Sequence, residues 1–159
     1  MIEAFSGGDF LDSNNKGVSP EERPIFYFDV EVLDSDIDGL GHTNNARYVN
    51  WCERAAWSHS KHLGLTLDDF KSIDRAMAVS CAVYDYCAPT FAGQLLRIAT
   101  FLEARGSTQM NRNFEVVRVS DGVMVLKADW QLSCISLSTG KLKRLPKKFI
   151  QIYLGGSST

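Results

Sequence analysis

One polar stretch, residues 36–45, carries the residue types that most often take part in chemistry. Asp36, Asp38 and His42 lie there among glycines and asparagines. The residues that follow have the apolar spacing of an amphipathic helix, so Asp38 and His42 fall just outside the N-terminus of that helix. A helix N-terminus carries free backbone N–H groups and a partial positive charge. It therefore suits a bound carboxylate or an oxyanion that develops during a reaction.

The predicted helix that must position this stretch runs up to Gly64. Thr43, Asn44 or Asn45 can cap its start, and Gly64 can end it at the C′ position. Its apolar residues recur at spacings of three and four, which places them on one helical face. That face consists of Tyr48, Trp51, Cys52, Ala55, Ala56, His59 and Leu63.

The segments on either side of the helix predict a sheet. Residues 24–34 alternate, with Phe26, Phe28, Val30 and Val32 on one side, as in a strand that has one buried face. After a short helix opened by Thr66 and Asp69, strands are predicted at residues 77–88, 94–104, 109–119 and 123–137, all joined by tight turns, and Pro146 begins a last helix.

This order of elements predicts an α+β fold. One helix of about five turns covers one face of a sheet, so we expect an antiparallel five-stranded sheet wrapped around one long central helix. The free edge of such a sheet needs a partner, which favours dimerisation through that edge. The predicted domain covers residues 24–154, with a flexible N-terminal arm at 1–23 and a disordered tail at 155–159.

Composition restricts the partners and the location. The 159 residues suit one domain, and the net charge of -2 gives no electrostatic footprint for nucleic acid or an anionic membrane. The most apolar long window, residues 76–96, is interrupted by Asp85, Pro89 and Gly93, so no membrane span is predicted.

The four cysteines form no metal-binding motif, and three have apolar surroundings. We therefore expect free thiols packed as small hydrophobic groups in a cytoplasmic protein.

The polar stretch resembles the signature of the hotdog-fold acyl-CoA thioesterases, in the branch related to 4-hydroxybenzoyl-CoA thioesterase. That signature is a carboxylate followed by G-H-x-N-N-x-x-Y and an aromatic residue two or three positions later. Here it reads D-G-L-G-H-T-N-N-A-R-Y from Asp38 to Tyr48, and Trp51 follows. The resemblance continues over residues 25–150. One departure is Ala56, which stands where the family often has an arginine.

The resemblance implies hydrolysis of an acyl-CoA or aroyl-CoA thioester to the free acid and CoA. It implies no metal or redox cofactor, with CoA as part of the substrate, and a homodimer or homotetramer as the active form. Asp38 would be the catalytic carboxylate, as a nucleophile or as a general base toward water. The backbone N–H near Asn45 would form an oxyanion hole. His42 would position Asp38 or contact the thioester, and Asn44 or Asn45 would hold the turn or orient water.

Each candidate residue also has a structural interpretation. Asp38 is a residue type common in glycine-rich turns, and His42 can serve as a structural hydrogen-bonding group. Tyr48 and Trp51 are candidates for substrate binding, but their helical spacing already explains them as core residues. Glu53 is either a second acid or base or a solvated surface carboxylate.

A basic segment near the C-terminus has two interpretations. It either contacts the phosphates of CoA or is simply solvated. The basic segment consists of Lys141, Lys143, Arg144, Lys147 and Lys148.

Three other activities fit the resemblance, so the substrate stays open. They are hydrolysis of an acyl group carried by acyl carrier protein, acyl-thioester binding without catalysis, and, less well, dehydration.

Overall fold

The computed structural model describes residues 24–155 and shows a five-stranded sheet packed against one long helix. The expected arm at residues 1–23 and nearly all of the expected tail lie outside the described residues. In chain order the elements are β1 (Phe26–Glu31), a 3-10 turn (Asp34–Asp36), α1 (Asn45–His62), α2 (Leu67–Ser72), β2 (Ala76–Tyr86), β3 (Leu95–Arg105), β4 (Gln109–Arg118), β5 (Met124–Ile135) and α3 (Lys147–Leu154).

The sheet is antiparallel throughout, with the strand order β1-β3-β4-β5-β2. The predicted α+β architecture is therefore confirmed. The prediction of a tight turn between β2 and β3 is wrong, because β4 and β5 lie between these two strands in the sheet. The connection between them, residues 87–94, crosses the end of the sheet, and Pro89 and Gly93 lie in this crossing rather than in a hairpin.

Helix α1 begins and ends at the predicted signals. Asn44 is its N-cap, with Oδ1 accepting a hydrogen bond from the Ala46 backbone N–H at 2.9 Å. Gly64 follows the helix with a φ of 80°, a conformation that glycine adopts without strain. Five of the seven residues of the predicted apolar stripe are buried, and Ala56 and Leu63 are half-buried. Ser60, which the spacing argument missed, is buried as well. The helix thus presents one continuous face to the sheet.

The core lies between α1 and the sheet. On β3, β4 and β5 the buried residues alternate with more exposed ones, as in strands that have one face on a core. Large side chains such as Ile98, Phe114 and Leu126 are completely enclosed. Burying each such side chain contributes about 1.5–3 kcal/mol. Helix α3 closes the open end of the layer with Phe149 and Tyr153.

Strand β2 departs from this pattern because it forms an edge of the sheet and exposes most of its length. It carries the exposed side chains of Val79, Cys81 and Val83. All four cysteines are free thiols, but only Cys52 and Cys134 are buried. The expectation that cysteines pack as small hydrophobic groups therefore fails on β2. Among residues 24–155, no helix has the length and apolarity that crossing a membrane requires.

Candidate active site

A tight turn fixes the carboxylate of Asp38 in front of α1. The Asp38 backbone N–H donates to the carbonyl of His42 at 2.8 Å, and the Gly41 N–H donates to the carbonyl of Asp38 at 3.1 Å. Gly41 has a φ of 84°, so a glycine is favoured at this position. Oδ1 of the half-buried Asp38 accepts from the Leu40 N–H at 2.8 Å. Its Oδ2 receives no hydrogen bond from residues 24–155 and is available to another group.

The buried hydroxyl of Thr90 anchors this turn to the crossing connection between β2 and β3. Thr90 Oγ1 lies 2.6 Å from Thr43 Oγ1 and 2.6 Å from the hydroxyl of Tyr48. The Thr43 backbone N–H also donates to the carbonyl of Thr90 at 3.0 Å. Burial raises the pKa of Tyr48 above its ordinary value. Sequence reasoning did not identify Thr90, since nothing in a threonine after Pro89 indicates a contact 42 residues away.

The first turn of α1 leaves one backbone N–H available. The Asn44 N–H donates to the carbonyl of Asp36, and the Ala46 and Arg47 N–H groups donate to Asn44. The Asn45 N–H makes no hydrogen bond to residues 24–155. Asp36 itself is buried, and its carboxylate accepts from the backbone N–H of Leu33 and pairs with Arg47 at 3.2 Å. Asp36 thus stabilises the chain that leads into α1 by joining the Leu33 backbone to Arg47.

The predicted residues Asp38, His42, Asn45 and Tyr48 meet in one small cavity of about 380 Å³. His42 is exposed, and its ring lies 5.6 Å from that of Phe91. The opposite wall of the cavity comes from the end of β2 and the crossing connection, through Tyr86, Cys87, Ala88 and Pro89.

Two predicted substrate-binding residues, Asn44 and Trp51, do not line this cavity. The side chain of Asn44 caps α1. Trp51 is buried in the core, where its ring packs edge-on against Tyr48 at 5.2 Å. For both residues, substrate contact stays a prediction. In the structure the side chain of Asn44 accepts from the Ala46 N–H, and the ring of Trp51 packs against Tyr48.

A second cavity, of about 610 Å³, extends between α1 and the sheet. Its wall is mainly apolar. Tyr86 stands between the two cavities, since its ring packs on Tyr48 at 5.8 Å and stacks on Tyr84 at 6.3 Å. The larger cavity therefore begins one aromatic ring away from the candidate catalytic groups. Its lining includes Ala56, Trp57, Met77, Tyr84, Trp130 and Leu132.

A buried cation also faces the larger cavity. Arg112 of β4 lines it and donates from Nη1 to His59 Nδ1 at 3.1 Å and to Thr100 Oγ1 at 3.2 Å. Burial lowers the pKa of Arg112 to about 10, so the guanidinium stays charged at neutral pH. Burial first, and then the charges of Arg112 and His62, lower the pKa of His59 to about 4. His59 is thus a neutral acceptor.

The basic segment is exposed and lies away from the small cavity within one chain. Tyr86, in the wall of that cavity, pairs with Leu126 near the start of β5, whereas Leu142 pairs with Ile135 at the end of β5. Nine residues of strand separate these positions, which corresponds to roughly 30 Å. Within residues 24–155, no group of three or more His, Cys, Asp or Glu side chains is placed to hold a metal ion.

Comparisons with known proteins identify the family of this chain. A family model described as the thioesterase-like superfamily matches residues 32–152. The acyl-CoA thioesterase YbgC of Haemophilus influenzae is 29% identical over 125 residues, which is 77% of this chain and 90% of that protein.

Two solved structures share the fold. The first is Slr0204, a 1,4-dihydroxy-2-naphthoyl-CoA thioesterase from Synechocystis, with a TM-score of 0.76 and 21% identity over 82% of this chain and 96% of that one. The second is SAV2348 of Staphylococcus aureus, solved in complex with CoA, with a TM-score of 0.75 and 14% identity over 82% of both chains.

The fold and the family match define a hotdog-fold thioester hydrolase. The chain belongs to the thioesterase-like superfamily, as the signature from Asp38 to Tyr48 predicted.

Proposed function

We propose that this protein hydrolyses an acyl-CoA or aroyl-CoA thioester, with Asp38 as the catalytic carboxylate and the start of α1 as the oxyanion hole. One observation carries the proposal. The free Oδ2 of Asp38 and the unbonded backbone N–H of Asn45 belong to groups that line the same small cavity. Thioester hydrolysis needs an attacking oxygen and a donor for the growing negative charge, and this cavity supplies both.

In the proposed reaction the thioester carbonyl lies between these two groups. Asp38 attacks the carbonyl carbon directly, or it removes a proton from a water molecule that attacks. The carbonyl oxygen then gains negative charge, which the Asn45 N–H and the positive end of α1 stabilise.

The C–S bond breaks and the CoA sulfur leaves as a thiolate, which takes up a proton. If water attacks, the free acid forms in this step. If Asp38 attacks, the acyl group stays on Asp38 as an anhydride, which a water molecule then hydrolyses, so either route consumes one water and gives the free acid and CoA. His42 lines the same cavity, and we propose that it contacts the thioester or Asp38.

The larger cavity is proposed to hold the acyl group. It is mainly apolar, and its volume lies within the usual range of 300–1,000 Å³ for ligand sites. The relatives support a CoA thioester as the substrate, because YbgC is named an acyl-CoA thioesterase and Slr0204 a 1,4-dihydroxy-2-naphthoyl-CoA thioesterase. SAV2348 was solved with CoA bound.

The active form is proposed to be a homodimer joined through β2. This strand is eleven residues long and exposes Val79 and Val83 at an edge of the sheet. If two copies pair β2 antiparallel about a two-fold axis, the end of β5 in one copy approaches the Tyr86 end of β2 in the other. The basic segment of the second copy then approaches the small cavity, where the phosphates of CoA need cationic partners.

The experiment is the release of free thiol from a panel of aliphatic and aromatic acyl-CoAs, comparing the wild-type protein with Asp38→Asn. We expect turnover of at least one substrate and a loss of about 100-fold or more in kcat for the variant. Asp68→Asn, at an exposed position of α2, is the matched control and should keep full activity. Full activity in Asp38→Asn would contradict the role of Asp38. Tight binding of CoA esters without thiol release would instead indicate a binding module, or a substrate carried by acyl carrier protein.

A further inference from the structure

Arg112 is a buried, ionised side chain in the middle of the helix-facing side of the sheet. It is 3% exposed, and the side chains next to it are apolar, aromatic or hydroxyl groups. Its neighbours directly across the sheet are Leu102 on β3 and Trp130 on β5. Arg118, the other arginine on this side of β4, lies at the end of the strand and pairs with Asp121. Burying an unpaired charge among such side chains costs free energy, so we expect Arg112 to have a partner of opposite charge.

The hydrogen bonds of Arg112 leave half of its guanidinium unused. Nη1 donates to His59 and Thr100, and the guanidinium carbon lies 6.0 Å from the ring centre of Tyr153. Nε and Nη2 make no hydrogen bond to residues 24–155, and no carboxylate of those residues forms an ion pair with Arg112. The Nε and Nη2 donors form the fork that binds a carboxylate through two parallel hydrogen bonds.

This unused fork lies at the end of the larger cavity that is remote from Asp38. Arg112 contacts His59 in the last turn of α1, whereas Asn45 begins that helix. Fourteen residues of helix separate the two positions, which is roughly 20 Å. The hydroxyls of Ser60 and Tyr153, 2.7 Å apart, also line the cavity at this end. Arg112, Ser60 and Tyr153 thus make this end polar, in a cavity whose wall is mainly apolar.

We propose that the larger cavity binds acyl chains that carry a carboxylate at their far end, and that Arg112 binds that carboxylate. The inference rests on the proposed function, since it takes the thioester to lie at Asp38. A hydrogen bond of up to about 3 Å at each end leaves roughly 14–17 Å of the separation for the chain. An extended chain covers roughly 1.2 Å per bond, so the two ends match a dicarboxylic acid half-thioester of roughly 12 to 16 carbons. Arg112 is then a specificity-determining residue. The other charged groups that line the cavity are Glu53 and Lys71.

The test compares thiol release from pairs of acyl-CoAs of equal carbon number, one ending in a methyl group and one in a carboxylate, from 6 to 16 carbons. For the wild-type protein we expect kcat/KM to favour the carboxylated member by about 10- to 100-fold at the longer lengths. Arg112→Met keeps the length of the side chain without its charge and should remove or reverse that preference. Lys61→Met, which removes an exposed cation of α1 outside the cavity lining, should keep it.

A binding measurement on the wild-type protein keeps the inference testable if Arg112→Met does not fold. Free dicarboxylates of 12 to 16 carbons should raise the thermal midpoint more than diols of the same length, which offer Arg112 no carboxylate. Equal kcat/KM for both members of every pair, or equal thermal shifts, would overturn the inference and leave the proposed function intact. Absence of thiol release from every ester would overturn the proposed function, and the binding measurement would still decide whether Arg112 binds a carboxylate.

Discussion

The hydroxyl of Tyr48 lies 2.6 Å from the hydroxyl of Thr90, and both side chains are buried. This hydrogen bond joins the first turns of α1 to the connection that crosses from β2 to β3. Thr90 also bonds Thr43, which follows the turn that holds Asp38. A single residue of the crossing connection thus fixes the candidate carboxylate relative to the helix start, so stability and activity should both depend on Thr90.

We predict that Thr90→Val destabilises the protein by about 1–3 kcal/mol. Valine keeps the shape of the side chain but removes the hydroxyl, which leaves the buried hydroxyl of Tyr48 without its partner and leaves the Thr43 hydroxyl only the backbone carbonyl of residue 90. The free energy of unfolding from denaturant titration measures this loss. kcat should also fall at temperatures where the variant is fully folded, because the turn with Asp38 loses its anchor. Thr139→Val removes only an exposed hydroxyl that accepts a hydrogen bond of 3.4 Å from the Lys141 N–H, so it should change both quantities far less. A Thr90→Val protein as stable as the wild type would show that Thr90 is no anchor.

The neutral state of His59 makes stability depend on pH. The pKa of His59 is about 4 in the folded protein, against 6.5 as its ordinary value. Between these values the unfolded chain binds more protons than the folded one, so the free energy of unfolding decreases as the pH falls. From pH 7.5 to pH 5 we expect a loss of about 1–2 kcal/mol from this residue.

The measurement is the free energy of unfolding at several pH values for the wild-type protein and for His59→Gln. Glutamine does not titrate, so the variant should be less stable at pH 7.5 but should show a smaller decrease toward pH 5. His42→Gln removes an exposed histidine that does not act on His59 and serves as the control. An unchanged pH slope in His59→Gln would mean that other groups cause the acid sensitivity.

The proposed dimer predicts that a charge on β2 separates the subunits. Val83 is 60% exposed on β2, and Asp at this position would add like charges on paired strands while removing apolar area from the interface. We expect Val83→Asp to weaken self-association by roughly 100-fold, as measured by sedimentation equilibrium. Tyr27→Asp places the same charge on β1, the other edge strand, at a side chain that is 58% exposed. Dissociation by Tyr27→Asp but not by Val83→Asp would assign the interface to β1 instead.

Local patterns predicted the elements well because their causes are local. The cap by Asn44, the end at Gly64 and the Thr66–Asp69 capping box are set by residues within one turn of each other. The alternation on β1 and β4 likewise follows from the period of an extended chain. The strand order did not follow from such patterns, since β2 pairs with β5 across about 50 residues of sequence.

The sequence by itself determined the elements, the turn from Asp38 to His42 and the family, because each depends on residue types at short spacing. Only the tertiary structure decided that Thr90 holds this turn, that Trp51 lies in the core, and that Arg112 ends an apolar cavity. These relationships join residues from different strands and helices. Periodicity shows which side of an element is buried, but it does not show which distant side chain that side meets.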